Sequence, residues 1–357
     1  MRRTYRALCG VSLVVLGASA AAQQPTAPAP AGGVPASLDW AYTPPPPAGS
    51  PPPPSALPAD DNIVMKVPGN AKTMPRSRFR GVGEIPDWWP EDHRGQMPDV
   101  VKSGREKVGA PGMAVTITAA VRPCGLCHLA DGSGRPENAP VSSLHPAYFI
   151  QQMEDFKNGL RNSADPRKAN TKAMASFAKN STAEEVAAAA EFFAAQPYPR
   201  RVKVVESKTA PKVRLQGGMH MAIVGEGAGM EPLGADQIVE VPDDPLRAEL
   251  RDTRLGWTVY APPGTLNRGK QVAAKYQCTV CHGNNLEGIG PVPPLAGRSP
   301  SYTMRQLYDM KVGARRGPWA ELMKPLVDRM TLQEMTAVSA FAGSVAPSAA
   351  PAARGTR

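Results

Sequence analysis

Two cysteines separated by two residues and followed at once by histidine constrain this chain more than any other feature. The pattern occurs as Cys124-Gly125-Leu126-Cys127-His128 and, 154 residues later, as Cys278-Thr279-Val280-Cys281-His282. The same offset carries Gly134 onto Gly288, Pro140 onto Pro294, Pro146 onto Pro300 and Tyr148 onto Tyr302. It also carries Gln152 onto Gln306, Asp155 onto Asp309 and Arg161 onto Arg315. One copy then has five fewer residues, and an offset of 149 carries Met174 onto Met323, Thr182 onto Thr331, Glu185 onto Glu334 and Phe192 onto Phe341. Matches in unbroken order over such a length are the mark of one structural unit used twice.

Each copy reads as helical. Pro146 suits a first helical position, where its missing N–H leaves no bond unmade, and Phe149, Met153, Phe156 and Leu160 follow as one apolar stripe. The last helix opens on Thr182-Ala183-Glu184-Glu185, a capping box, which Thr331 and Glu334 repeat. Between the copies, Arg201–Val205, Gln237–Val241 and Trp257–Tyr260 alternate like strands. The region between the copies is therefore expected to be a β-rich connector.

The cysteine pattern is the attachment signature of a c-type haem. Two thiols on one helical turn add to the two vinyl groups of a single porphyrin, and the adjacent imidazole reaches the iron. The rival readings are a zinc site and a redox dithiol. Zinc usually takes two more ligands per site, which neither copy offers nearby, and a redox dithiol does not require the histidine. Two haem c groups are thus expected, held by Cys124, Cys127, Cys278 and Cys281, with His128 and His282 on the irons. Met174 and Met323, at equivalent places eight residues before the capping threonines, are the candidates for the sixth ligands. Met153, Met310 and Met330 are expected in the core, His145 at the surface or as a cap, and His220 within the connector.

The N-terminus reads as a secretory signal. Arg2, Arg3 and Arg6 precede a short apolar run, Leu8 to Leu16, and small-residue cleavage patterns fall near residues 20–22. An uncleaved anchor is the rival. Loss of those three arginines takes the net charge from +10 to +7 and removes Cys9, leaving four cysteines, all inside the two motifs. Beyond the signal, prolines Pro44 to Pro47 and Pro51 to Pro54 suggest a polyproline tether.

On these residues each copy resembles a class I cytochrome c domain, and the pair is similar to the diheme class I c-type cytochromes of proteobacteria. Gly290-Pro291-Val292-Pro293-Pro294-Leu295-Ala296-Gly297 is close to that family's haem-flanking segment, and Met323-Lys324-Pro325-Leu326-Val327 to its methionine-ligand loop. Met174-Ala175-Ser176-Phe177-Ala178 is a looser version of that loop. The resemblance implies that a proline carbonyl, of Pro294 and by the repeat of Pro140, accepts the N–H of the iron-bound histidine. Copy one departs from the family in carrying Ser143 where Gly297 stands in copy two.

The expected fold is mainly α: two tandem class I cytochrome c domains, a β-rich connector and a Pro-rich N-terminal tether. The expected divisions are 1–22 signal peptide, 23–60 disordered tether, 61–94 irregular extension, 95–200 first cytochrome domain, 201–261 connector, 262–346 second domain and 347–357 tail. The expected function is periplasmic one-electron transfer through two His/Met haems, with no catalytic residue and with a dehydrogenase or terminal oxidase as redox partner. No nucleic acid is expected, and membrane association is not required. The alternatives are an electron-accepting subunit of a periplasmic dehydrogenase and a diheme enzyme such as a peroxidase.

Overall fold

The computed structural model describes residues 34–44, 49–50, 62–67, 70–75, 97–102, 121–249 and 251–348. The stretch expected to be a secretory signal, and Trp88, Trp89 and His93, lie outside the described residues. Helices are α1 Asp39–Tyr42, α2 Asp99–Lys102, α3 Cys124–His128, α4 Pro146–Lys157, α5 Ala169–Asn180, α6 Ala183–Ala195 and α7 Pro245–Glu249. They continue as α8 Thr265–Lys275, α9 Cys278–His282, α10 Pro300–Lys311, α11 Pro318–Val327 and α12 Leu332–Ser344. The strands are β1 Asn62–Val67, β2 Asn70–Pro75, β3 Val202–Glu206, β4 Thr209–Pro211, β5 Val213–Gln216, β6 Met219–Ala222, β7 Met230–Pro232, β8 Val239–Pro242 and β9 Trp257–Ala261, with β4 paired to β7 and β5 to β6.

The start of each helix follows from its sequence. Pro146 and Pro300 sit in the first turns of α4 and α10. Ahead of them His145 and Ser299 are the caps: the His145 ring accepts from Ala147 N (3.2 Å) and Ser299 Oγ from Tyr302 N (3.2 Å). Positions matched by the repeat thus do one job with different acceptors. Both capping boxes form as expected. Thr182 Oγ1 accepts from Glu185 N at 3.2 Å and Glu185 Oε2 from Thr182 N at 2.8 Å; for Thr331 and Glu334 the distances are 3.1 and 2.9 Å.

Apolar burial holds each copy together. Phe149 of α4 stacks on Phe193 of α6 with ring centroids 6.1 Å apart, and Val100 and Val101 of α2 join the same cluster. In copy two α8 lies across α12, and the contact is backbone to backbone. A Cβ added at Gly269 would stand 2.2 Å from the Ala337 carbonyl oxygen, so only glycine allows this approach.

The connector forms a three-stranded sheet in the order β3-β9-β8, with β3 parallel and β8 antiparallel to β9. Its strands match the expected ones to within two residues. The connector is bound to both copies. Buried Glu240 of β8 accepts from Ser299 Oγ (2.8 Å) and Ser301 Oγ (2.6 Å) at the start of α10. On the other side Arg251 Nη1 donates to the Leu126 carbonyl (2.5 Å) and Arg135 Nη1 to the Ala248 carbonyl (3.2 Å).

Copies one and two also touch directly, through residues that the repeat pairs. Arg161 Nη2 donates to Tyr302 Oη (3.0 Å) and Gln306 Oε1 (3.2 Å). Arg315 Nη2 donates to Tyr148 Oη (2.8 Å) and Gln152 Oε1 (2.8 Å). Each arginine grips in the other copy the residues that its mate's own helix supplies. The two copies meet at these positions in a short antiparallel bridge between Arg161 and Arg315.

Two expectations for the N-terminal region are corrected. Residues 23–60 are not wholly an unstructured tether: Ala36–Leu38 form a 3-10 turn, α1 follows, and Leu38, Trp40, Ala41 and Tyr42 are 5% exposed or less. Four large or apolar side chains within five residues supply enough buried area to order the segment despite flanking prolines. Residues 61–94 are not all irregular either. Strands β1 and β2 pair antiparallel, with Val67 opposite Asn70.

Candidate functional site

The five residues of each cysteine motif form a helix of a turn and a half, α3 and α9. That turn brings the two cysteines to one side and leaves the histidine at its C-terminal end. The chain then folds back: Gly134 N donates to the His128 carbonyl (2.8 Å), and Gly288 N to the His282 carbonyl (2.7 Å). This return places a backbone carbonyl against each imidazole. His128 Nδ1 lies 2.7 Å from the Ala139 carbonyl and His282 Nδ1 2.8 Å from the Pro293 carbonyl.

The acceptors are therefore Ala139 and Pro293, one residue before the expected Pro140 and Pro294. The reason is steric. A residue preceding proline is pushed into extended backbone, which turns its carbonyl out of the loop toward the ring, while Pro140 and Pro294 impose that conformation. A carbonyl only accepts, so Nδ1 carries the proton and Nε2 keeps its lone pair for a metal. Burial holds both imidazoles below their usual range, opposed in each case by the carbonyl contact, and so favours the neutral ring.

Burial beside Cys127 pushes the Cys124 thiol up to about 12, and burial raises Cys278 too, the opposite of the lowered thiol that a redox dithiol uses. Among the described residues no group of three or more His, Cys, Asp or Glu is placed to hold a metal ion.

Two hollows in copy one share His128, Phe149, Met153 and Met174 as walls. One continues along Cys124, Cys127, Phe177 and Val186, an apolar end. The other opens onto Arg161, Lys168, Tyr302 and Arg305, a cationic end. A c-type haem needs this polarity, with thioether links at one edge and carboxylates at the opposite edge. The residues present fit the group. Cys124 and Cys127 would hold its edge, and His128 and Met174 stand on the wall of the slot. In copy two, His282 is buried, and Cys278 and Met323 pack on one core cluster.

The methionines differ from expectation in setting. Met174 lies within α5 and Met323 within α11, not in loops. Helix α11 accommodates Pro325 inside it, and Lys324 Nζ ties it to the Lys311 carbonyl at 3.1 Å. Met310 and Met330 are buried in the core, as expected, whereas Met153 also lines the slot. His220 stands on β6 (Met219–Ala222) beside Trp40, and burial lowers it to about 4.

Sequence reasoning missed Lys168, Arg305 and Tyr42 as neighbours of the slot. Arg305 is matched by Gln151, so the repeat gives no signal for it. Tyr42 sits within the proline-rich segment that composition assigns to a tether.

The family described as "Cytochrome c" matches residues 266–346. The chain is 25% identical over 224 residues to cytochrome c4 of Azotobacter vinelandii, covering 61% of this chain and 82% of that protein. It is 24% identical over 225 residues to the thiosulfate dehydrogenase electron acceptor of Stutzerimonas stutzeri, covering 62% and 78%. Among solved structures, thiosulfate dehydrogenase from Marichromatium purpuratum aligns with a TM-score of 0.39 and 23% identity, over 66% of this chain and 38% of that one. Through its paired cysteine–histidine motifs and imidazoles seated on backbone carbonyls the chain is similar to diheme class I c-type cytochromes, and its residues 266–346 match the cytochrome c family.

Proposed function

We propose that this protein is a periplasmic electron carrier built from two tandem cytochrome c domains, residues 95–200 and 262–346, each holding one haem c. Cys124 and Cys127 anchor the first haem and Cys278 and Cys281 the second; His128 with Met174 and His282 with Met323 are the iron ligands. One observation carries this reading: both motif histidines present Nδ1–H to a backbone carbonyl at the same separation, 11 residues on. Two protein ligands per iron leave no position for a substrate, and the haem supplies one-electron chemistry. The chain's own residues fix the ring tautomer, exclude water through the Phe149–Phe193 core and bring the two copies into contact through Arg161 and Arg315. The basic N-terminal segment supports export, and among the described residues no helix is long and apolar enough to cross a membrane.

The test is export in a host with c-type maturation. Mass spectrometry is expected to find two added porphyrins, and spectra to report methionine ligation that carbon monoxide does not readily displace. Absence of porphyrin, or disulfides among the four cysteines, ends this reading, and rapid carbon monoxide binding favours the enzyme alternative. Likeness to a protein named as an electron acceptor supports a second, more specific reading: a carrier dedicated to one periplasmic dehydrogenase. Co-purification with such an enzyme from the native source tests it.

A further inference from the structure

Helix α10 of copy two contributes a carboxylate to the wall of copy one's slot. Asp309 lines the hollow that holds His128 and Met174 and is 5% exposed. Its Oδ1 accepts two hydrogen bonds, from Tyr42 Oη (2.6 Å) and from Ala164 N (2.8 Å). Tyr42 is itself buried, and its carbonyl accepts from Lys168 Nζ at 3.3 Å. Two separate stretches therefore converge on this acid of α10 beside the slot: α1 and the loop after α4.

We infer that Asp309 couples the first haem to a proton: when the iron gains one electron from a redox partner, the Asp309 carboxylate gains one proton from solvent. The inference rests on the haem reading of copy one. The balance is one electron and one proton taken up together, with both released on oxidation, so the net charge around the slot stays the same. The physical reason is the low dielectric of the buried wall. An electron added nearby makes a second negative charge harder to keep, and a proton removes it.

The surroundings permit this. Facing Asp309 are Tyr42 from α1, Lys168 and the Ala164 N–H from the loop after α4, Arg305 and Tyr308 from its own helix, and Arg315 from the turn beyond it. The two hydrogen bonds and the charges of Arg305 and Arg315 favour the carboxylate, but burial outweighs them and lifts Asp309 to about 6. Lys168, brought down by burial to about 7, is the rival proton acceptor.

The experiment is spectropotentiometry of the purified holoprotein from pH 5 to pH 8, with haem content fixed first by mass. In the native protein one of the two midpoints is expected to fall with rising pH and the other to stay nearly flat. Asp309→Asn keeps an oxygen for both hydrogen bonds, so the fold is retained. It should remove the slope and hold that midpoint above the native one at pH 7. Tyr42→Phe removes a bond that favours the carboxylate and should move the sloping range to higher pH. Lys168→Gln should leave a slope in place. A slope that persists in Asp309→Asn, one lost in Lys168→Gln instead, or two flat native midpoints in a two-haem protein overturns the inference. A protein without haem overturns the underlying reading instead.

Discussion

The two copies carry the same local devices in different surroundings. Both have a cysteine helix closed by a glycine N–H, an imidazole on a pre-proline carbonyl and a capping box at the last helix. Their equivalence extends to single bonds. Ser143 N donates to the Phe193 carbonyl and Gly297 N to the Ala342 carbonyl, each at 2.9 Å. Around this shared frame the copies diverge. In copy two a full helix, α8, packs backbone to backbone on α12, whereas in copy one the short helix α2 meets α6 through Val100 and Val101. Copy one's motif is also covered by the connector through Arg251, while Val280 in copy two's motif is 69% exposed. Local hydrogen bonding repeats because it depends on a few adjacent residues, and packing diverges because it depends on whatever lies alongside.

The largest effect that probes this comparison is loss of a proposed iron ligand. Met174→Ala and Met323→Ala should each abolish methionine ligation at one haem and leave the other, read by spectra of the oxidised protein. Loss of both signals in one variant would break the independence of the copies.

Next comes Gly269→Ala, which drives a Cβ into the Ala337 carbonyl and should destabilise copy two by about 3 kcal/mol in thermal unfolding. Across the interface, Arg161→Ala and Arg315→Ala should each lose about 2 kcal/mol, because each removes a charged donor to a tyrosine and a glutamine of the other copy, Gln306 alone keeping a second donor in Arg315 Nη1. If the interface is reciprocal the two losses are similar and the double variant is not additive. A large loss from one arginine alone would show one-sided docking.

The caps give a smaller, pH-dependent contrast. Thr182→Ala and Thr331→Ala should each lose about 1 kcal/mol. Glu334 also accepts from Lys275 Nζ (2.6 Å) and Tyr276 Oη (3.1 Å), and the Lys275 bond, with the Thr331 N–H, holds its carboxyl at about 2. A carboxyl held low when folded stabilises fully above its unfolded value of roughly 4.3 and loses that contribution as pH falls through 2. Glu334→Gln should therefore flatten the acid side of copy two's unfolding profile between those limits. Smallest is Ser143→Gly. Ser143 has φ of 58°, in the left-handed region where Gly297 has 70°, but its Oγ donates to the Gln196 carbonyl at 2.9 Å. Strain relieved and bond lost nearly cancel, and the change should stay within about 0.5 kcal/mol.

Much of the site was legible from the chain alone wherever the chemistry is local. The cysteine spacing, the adjacent histidine, Pro146 and the Thr-x-x-Glu boxes each act within a turn or two of helix. Misreadings came where position along the chain and position in space part company. The imidazole acceptor was placed one residue late because proline's effect falls on its predecessor. Leu38 to Tyr42 were assigned to a tether because composition weighs prolines over a window, while burial is decided by four side chains. The methionines were expected in loops because the resemblance carried a methionine-ligand loop onto them, yet Met174 lies in α5 and Met323 in α11, which keeps Pro325 inside it.

By itself, then, the sequence determined the twin attachment motifs, the caps and the repeat order, since hydrogen bonds and covalent chemistry over a few residues do not depend on distant partners. Only the tertiary structure decided that Arg161 and Arg315 exchange partners between the copies, that Tyr42 reaches Asp309 across 267 positions, and that copy one's slot is walled by copy two. Those contacts arise from how packed helices and a sheet share one interior, and chain order does not encode that.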